Sequence, residues 1–241
     1  TGRTVVEGQA AVSLPGSIHA TAAEAQQLGG EAIAVACDHE DDEQVRGLFE
    51  RILAQQGRLD ILVNNVWGGY EYYNNGTEFW LEKGFWDAPL SRWDKMFDAG
   101  VRAHYAASVL AAPTMIAQGS GLIVNISFLA AGKPDMGVAY GAAKAADDHM
   151  ARCMAHELRP HNVAALALYP GLVRTEGVLK AAEYFDLSNS ESPQFLGRAV
   201  AHLAADPNIM ERSGQVLVAA QIAREYGFVD IDGRSPEPAN I

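Results

Sequence analysis

Short apolar runs recur along this chain, and longer stretches with helical spacing separate them. Each run is as long as a strand, several are rich in valine and isoleucine, and none alternates cleanly between apolar and polar residues. Strands that are buried on both faces of a sheet have this pattern. The runs predicted to be strands are Ala32–Cys37, Leu59–Val63, Leu122–Ile126, Val163–Leu168 and Gln215–Ala219.

Apolar stripes between these runs predict helices near Ala20–Leu28 and Val45–Leu53, from Ser91 onward and over Tyr140–Leu158. Strands that alternate with helices form βαβ units, so the sequence predicts an α/β fold with a doubly wound, mostly parallel sheet. From a length of 241 residues we expect a single domain over 1–241. Ligands of such sheets bind beyond the carboxyl ends of the strands.

The charge of the chain narrows the range of partners. A formal net charge of −12 argues against nucleic acid or an anionic membrane surface, because both repel an acidic protein. The two cysteines, Cys37 and Cys153, have no metal-ligand spacing, and no apolar run is long enough to cross a membrane. We therefore expect a cytoplasmic protein without a membrane partner.

Polar side chains follow several predicted strands at the point where each strand ends. Because the carboxyl ends of parallel strands meet at one edge of a sheet, we expect these side chains to line a common cleft. The residues in this position are Asn64, Asn65, Ser127, Pro170, Gly171 and Thr175.

Tyr140 and Lys144 lie one helical turn apart on the helix that follows Ser127, so their side chains share a face. An ammonium group favours phenolate and lowers a phenol pKa that is ordinarily near 10. Reduction of a carbonyl by hydride needs such an acid, and oxidation of an alcohol needs the matching base. The spacing alone is also compatible with a surface pair that makes only a weak contact.

Five short motifs occur in one order on the predicted elements, and together they resemble the short-chain dehydrogenase/reductase family. The resemblance covers nearly the whole chain. It implies a Rossmann-like fold, an NAD(P)-dependent reaction between a carbonyl and an alcohol, and a homodimer or homotetramer that pairs through the helices after Ser91 and Tyr140. The motifs are Leu59–Asn65, Gly121–Ser127, Tyr140–Lys144, Tyr169–Thr175, and Asp206–Asn208 with Ser213-Gly214.

The resemblance also implies a role for each matching residue. Tyr140 would be the general acid/base, Lys144 would lower its pKa and bind the nicotinamide ribose, and Ser127 would position the substrate oxygen. The residues expected to bind the cofactor are Asp38 at the adenine, Asn65 and Val66 on the adenosine side, and Pro170, Gly171, Val173 and Thr175 beside the nicotinamide.

Arg3 is the residue from which we predict whether the cofactor is NAD or NADP. By the resemblance it follows the position, here Gly2, where family members that prefer NAD usually have an acidic residue for the ribose diol. A guanidinium group instead suits a 2′-phosphate. We therefore expect NADP rather than NAD.

The chain departs from the family pattern at three places. No TGxxxGxG motif occurs in the sequence, so we expect the fold to lack its first strand, glycine-rich loop and first helix, roughly 30–40 residues. A truncated sequence would explain this better than a family member that lacks the loop. Counting back from Tyr140 places Ser127 at the serine position, whereas counting forward from Gly121 places Phe128 there; we favour Ser127. The asparagine of the family's proton relay corresponds to Gly100.

Other features are open to more than one interpretation. The seven histidines show no metal-ligand spacing, so no metal site is expected. Asp147-Asp148 is predicted to lie on a solvated face. Trp67, Tyr70 and Trp80 could line a substrate pocket or pack the loop, with equal weight. The second functional hypothesis is a non-catalytic protein that keeps the fold and binds a partner or a subunit.

Overall fold

A computed structural model describes residues 1–8, 14–69 and 84–239. Tyr70 and Trp80 lie outside the described residues. The strands are β1 (Ile61–Asn64), β2 (Gly121–Ile126), β3 (Val163–Tyr169) and β4 (Val216–Val218). The helices are α1 (Ile18–Gln27), α2 (Asp42–Gln56), α3 (Leu90–Phe97), α4 (Ala103–Gln118), α5 (Val138–Leu158), α6 (Glu176–Lys180), α7 (Pro193–Ala204), α8 (Ile209–Arg212) and α9 (Ala219–Tyr226).

The described strands form one sheet in the order β1-β2-β3-β4, and every pair is parallel. In the register, Val124 of β2 lies between Val63 of β1 and Leu166 of β3. Four of the five predicted strands are therefore confirmed to within about two residues. The parallel sheet with helices between its strands is a Rossmann-like arrangement, as the sequence predicts.

Two apolar layers cover the sheet, one on each face. Leu122, Val124 and Ile126 of β2 pack with α7 and α9 on one face, where Phe195 and Leu203 are fully buried. Ile123 of β2 points to the opposite face, because side chains alternate along a strand. The apolar layer on that face contains side chains of α2, α4 and α5. Burial on both faces explains why the strand sequences do not alternate.

The segment Ala32–Cys37 is not a strand, contrary to the prediction. Only Ala36 pairs with Gly2, in an isolated parallel bridge, and the Cys37 N–H donates to Gly2 O at 3.1 Å. A run of apolar residues becomes a strand only where a neighbouring strand supplies ladder partners. A cleft of about 150 Å³ instead separates Thr1 and His39 from β1.

The helix predicted from Ser91 onward is interrupted. α3 begins at Leu90, after Pro89, and a π-helical turn over Asp98–Arg102 joins it to α4. One extra residue per turn shifts the helix register, and such turns occur often at functional sites. Here the turn contains Gly100, which packs against Trp67 beyond the end of β1.

Replacement of Phe195 by alanine tests the packing of the larger apolar layer. Phe195 is fully buried, and its ring lies 5.4 Å from that of Phe228. We expect the Phe195→Ala variant to lose about 3–5 kcal/mol of unfolding free energy in urea titrations, because a large cavity remains. Tyr184→Ala is the control, since Tyr184 is 79% exposed. A loss in Phe195→Ala no larger than in the control would contradict this packing.

Candidate active site

Lys144 lies in a buried position on α5, one turn after the half-buried Tyr140. Its ammonium donates to Ile126 O at 3.1 Å and faces Asp147 Oδ2 at 3.4 Å. Burial lowers the pKa of Lys144, although the carboxylates of Asp147 and Asp148 act in the opposite direction. The charged group is therefore held inside the protein, where its field is screened least.

Trp67 packs against both members of this pair. Its indole ring lies 4.4 Å from Lys144 Nζ, which is cation–π geometry, and meets the Tyr140 ring edge-on at a centroid distance of 5.4 Å. The ring also fills the space beside Gly100, where an added Cβ would lie 2.5 Å from an indole carbon. Trp67 therefore packs on the Tyr140/Lys144 pair and excludes any side chain at position 100.

The Ser127 hydroxyl points into the interior and away from solvent. Ser127 is 2% exposed, and its Oγ donates to Lys144 O at 3.1 Å. The ring of Phe128 instead lies beside Tyr140, with 6.1 Å between centroids. The Ser127 hydroxyl is therefore engaged with the backbone of α5, while Phe128 packs beside Tyr140.

A second buried group lies next to Ser127. The Tyr169 hydroxyl donates to Asp148, and both side chains are buried. Burial raises the pKa of Asp148, and burial together with the adjacent carboxylate raises the pKa of Tyr169. Ser127 interacts with both groups. Tyr169 therefore joins the end of β3 to α5 through a buried hydrogen bond.

Asp147 and Asp148 do not lie on a solvated face, contrary to the prediction. Asp147 is 0% exposed and contacts Nδ1 of His104, also buried, at 2.8 Å. The prediction was wrong because it treated the pair as an isolated charged dipeptide, whereas α5 is covered on this side by α4. The spacing of Asp147, three residues after Lys144, was the available signal, since it places both on one helix face.

A chain of hydrogen bonds joins the strand ends to the helices. Asn64 Nδ2 donates to Asn125 Oδ1 at 2.9 Å and to Ser108 Oγ at 3.0 Å. Asn125 Nδ2 donates to Asp147 O at 3.2 Å, and Ser108 Oγ donates to His104 O at 2.7 Å. These side chains are buried and connect β1, β2, α4 and α5, so they fix the position of the Tyr140 helix.

The segment Pro170–Thr175 follows β3 and is anchored by Glu191. The Gly171 N–H donates to Glu191 Oε2 at 2.8 Å, and the Arg174 N–H donates to Glu191 O at 2.8 Å. Val173 pairs with Glu191 in a parallel bridge, and Thr175 Oγ1 caps α6. Burial raises the pKa of Glu191 to about 7. Glu191 is not predicted from the sequence, since nothing in its local pattern marks it.

The remaining predicted residues lie at the same edge of the fold. Asn65 and Val66 follow β1, and Val66 O accepts from His104 Nε2 at 3.0 Å. Gly2 and Ala36 pair with each other across the cleft from β1. Arg3 is next to Gly2, and Asp38 lies two residues after Ala36. The carboxyl edge therefore combines a phenol and an ammonium, which are groups that can bind the hydroxyls of a nicotinamide ribose. A TGxxxGxG motif for its phosphates does not occur in the sequence.

A sequence profile described as short chain dehydrogenase matches residues 3–183. The chain belongs to this family. It is 43% identical over 232 residues to mouse dehydrogenase/reductase SDR family member 1. The aligned region covers 90% of this chain and 73% of the mouse protein. It is 28% identical over 207 residues to 7alpha-hydroxysteroid dehydrogenase of Escherichia coli K12, covering 82% of this chain and 76% of the enzyme.

A solved structure has a fold similar to that of this short-chain dehydrogenase. The structure is titled 7 alpha-hydroxysteroid dehydrogenase complexed with NADH and 7-oxo glycochenodeoxycholic acid. It superposes with a TM-score of 0.69 at 28% identity, over 83% of this chain and 78% of the other. Among the described residues, no helix has the length and apolarity to cross a membrane. No cluster of three metal-binding side chains occurs in the same residues.

Replacement of Glu191 by glutamine tests the effect of this buried carboxyl group on stability. Its pKa rises from an ordinary 4.5 to about 7 in the folded protein, so the folded state binds the proton more tightly. The stability contributed by this proton is complete below about pH 4.5 and is lost as the pH rises through about 7. As the pH rises, we expect the wild type to lose more unfolding free energy than Glu191→Gln, with a difference of at most ~3 kcal/mol.

The measurement is urea unfolding between pH 5 and pH 8. Glu183→Gln is the matched control, because Glu183 is exposed. Equal pH dependence in the wild type and in Glu191→Gln would contradict the raised pKa of this group.

Proposed function

We propose that this chain carries the active site of an NADP(H)-dependent oxidoreductase that interconverts a carbonyl and an alcohol. The observation that carries the proposal is the half-buried Tyr140 phenol one helical turn from the buried Lys144 ammonium, at the carboxyl edge of a parallel sheet. Family membership supports oxidoreduction in general. The assignment of roles to individual residues is part of the proposal.

In the proposed mechanism, Tyr140 donates a proton to the carbonyl oxygen during reduction and accepts one from the alcohol during oxidation. The Lys144 ammonium favours the phenolate form of Tyr140, because an opposite charge nearby in a poorly screened site stabilises an anion. Trp67 covers the ammonium and limits its contact with water. Tyr140 therefore works as an acid at a lower pH than an isolated phenol.

NADP(H) would supply or accept the hydride, and the protein would supply position and charge. Arg3, Asp38, Asn65 and Val66 would hold the adenosine half. Lys144 with Tyr140 would hold the ribose next to the nicotinamide. The residues proposed beside the carboxamide are Pro170, Gly171, Val173 and Thr175, in the segment anchored by Glu191.

The surroundings of Tyr140 favour an apolar ketone or secondary alcohol as substrate. Trp67 and Phe128 both lie beside its ring, and such side chains bind apolar skeletons. The relative whose structure is titled with a 7-oxo bile acid is consistent with this class. With Ser127 turned inward, Tyr140 is the side chain proposed to contact the substrate oxygen.

A second candidate function is non-catalytic binding of a partner or a subunit. Phe128 beside Tyr140 and glycine at position 100 favour it. A homodimer or homotetramer that pairs through α4 and α5 is compatible with either function. Residence in the cytoplasm likewise remains an expectation.

Replacement of Tyr140 by phenylalanine separates the two candidates. The variant keeps the ring and its contacts but lacks the acidic proton. We expect turnover of a panel of apolar ketones, including 7-oxo glycochenodeoxycholic acid, to fall about 10²–10⁴-fold while NADPH binding stays within a factor of two or so. Tyr105→Phe on the exposed face of α4 is the control. Undiminished turnover in Tyr140→Phe would reject the mechanism.

The choice of cofactor is tested at Arg3. If its guanidinium contacts a 2′-phosphate, Arg3→Ala should weaken NADPH about tenfold, or about 1.4 kcal/mol, and leave NADH unchanged. Titrations of nicotinamide fluorescence with both cofactors give the two affinities. Arg51→Ala, which removes an exposed arginine from α2, is the matched control. A parallel loss for NADH and NADPH would show that Arg3 does not read the phosphate.

A further inference from the structure

The Lys144 ammonium has one carboxylate partner in direct contact, and that carboxylate is itself held by a histidine. Asp147 Oδ2 lies 3.4 Å from Lys144 Nζ, and Asp147 Oδ1 lies 2.8 Å from His104 Nδ1. His104 Nε2 lies 3.0 Å from Val66 O. All three side chains are buried. The contacts form a continuous line from α5 to α4 and on to the end of β1.

The partners in this line fix the positions of two protons. A carbonyl oxygen only accepts, so the contact with Val66 O requires a proton on His104 Nε2. A second proton must then lie between His104 Nδ1 and Asp147 Oδ1, because two unprotonated acceptors repel at 2.8 Å. When the proton between them resides on the imidazole, Asp147 is a carboxylate, and its second oxygen faces the Lys144 ammonium.

A buried ammonium needs such a partner. Desolvation of an unpaired amine in a protein interior commonly leads to loss of its proton. Around Lys144, Ile126 O and the face of Trp67 supply only dipoles, and Asp148 is engaged with Tyr169. Asp147 is the carboxylate that touches the ammonium, and the rigid contact with His104 keeps it there.

Other titratable groups face this line from the neighbouring elements. Tyr140 lies on the same face of α5, and Asp148 is next to Asp147. His39 lies close enough to His104 for the imidazole charge to lower its pKa, and the main cause of that lowering is burial of His39. Asp148 also favours the charged form of Lys144, but it is engaged with Tyr169. Asp147 is therefore the acidic side chain in direct contact with the ammonium.

We propose that Asp147, oriented by His104, is a positioning residue that holds the Lys144 ammonium under Tyr140 and keeps it charged while Tyr140 exchanges its proton. This inference rests on the proposed function, because it assigns Tyr140 the proton transfer. It gives the chain a side-chain partner for Lys144 in a fold where the Trp67 ring leaves no room for a side chain at position 100.

The titration of Lys144 itself tests the inference without cofactor or substrate. NMR correlation of lysine Cε and Nζ nuclei resolves the protonation of each ammonium, and loss of a signal in Lys144→Met assigns it. In Asp147→Asn we expect the pKa of Lys144 to fall by about one unit or more, since the direct counter-charge is gone. An unchanged pKa would overturn the proposal.

Asp148→Asn is the matched control, because it removes a neighbouring buried carboxylate that contacts Tyr169. We expect a smaller fall in the pKa of Lys144 than in Asp147→Asn. Equal shifts in the two variants would overturn the specific role of Asp147. His104→Gln, which retains Asp147 but removes the shared proton, provides a second route if Asp147→Asn does not fold. It should also shift the Lys144 titration, and no shift would remove His104 from the proposal.

The outcome is separable from that of the proposed function. A shifted Lys144 titration in a protein that reduces no ketone would support the positioning role and reject the enzyme. Normal loss of turnover in Tyr140→Phe, together with an unshifted Lys144 in Asp147→Asn, would support the enzyme and reject the positioning role.

Discussion

Parallel pairing of β1, β2 and β3 is the constraint on which the rest of this structure depends. Parallel strands all end at the same edge, so residues far apart in the sequence meet there without any local attraction between them. Asn64 ends β1, Lys144 lies on the helix after β2, and Gly171 follows β3, so all three lie at this edge. The two apolar layers on the faces of the sheet hold this pairing in place.

Burial of a charge is the second requirement that the fold has to meet. An ammonium without partners is unstable in an interior, and the elements around Lys144 each contribute a compensating group. β2 contributes a carbonyl, α5 a carboxylate and the segment after β1 an indole face. The polar chain through Asn64 and Asn125 then ties these elements together, so the electrostatics of the site and the packing of the domain are coupled.

Features that depend on neighbours in the sequence could be predicted, and those that depend on neighbours in space could not. The strands β1 to β4 and the Tyr140/Lys144 turn follow from local pattern. Ala32–Cys37 has the same pattern but lacks a ladder partner on the β1 side. Ser127 and Phe128 are adjacent, and adjacent side chains of an extended segment point to opposite sides. A count from the sequence alone therefore does not decide which of the two side chains lies beside Tyr140. The contact of Asp147 with His104 spans 43 residues, so no local rule identifies it.

The contact between Trp67 and Gly100 has a consequence for comparing sequences across this family. An indole ring and a side chain at position 100 cannot occupy the same volume, since the shortest approach would be 2.5 Å. The two positions should therefore be substituted together, with tryptophan at the first accompanying glycine at the second. A relative that carries asparagine at the second position is expected to carry a small residue at the first. This covariation would divide homologues into two groups by how they surround the lysine, whatever their substrates.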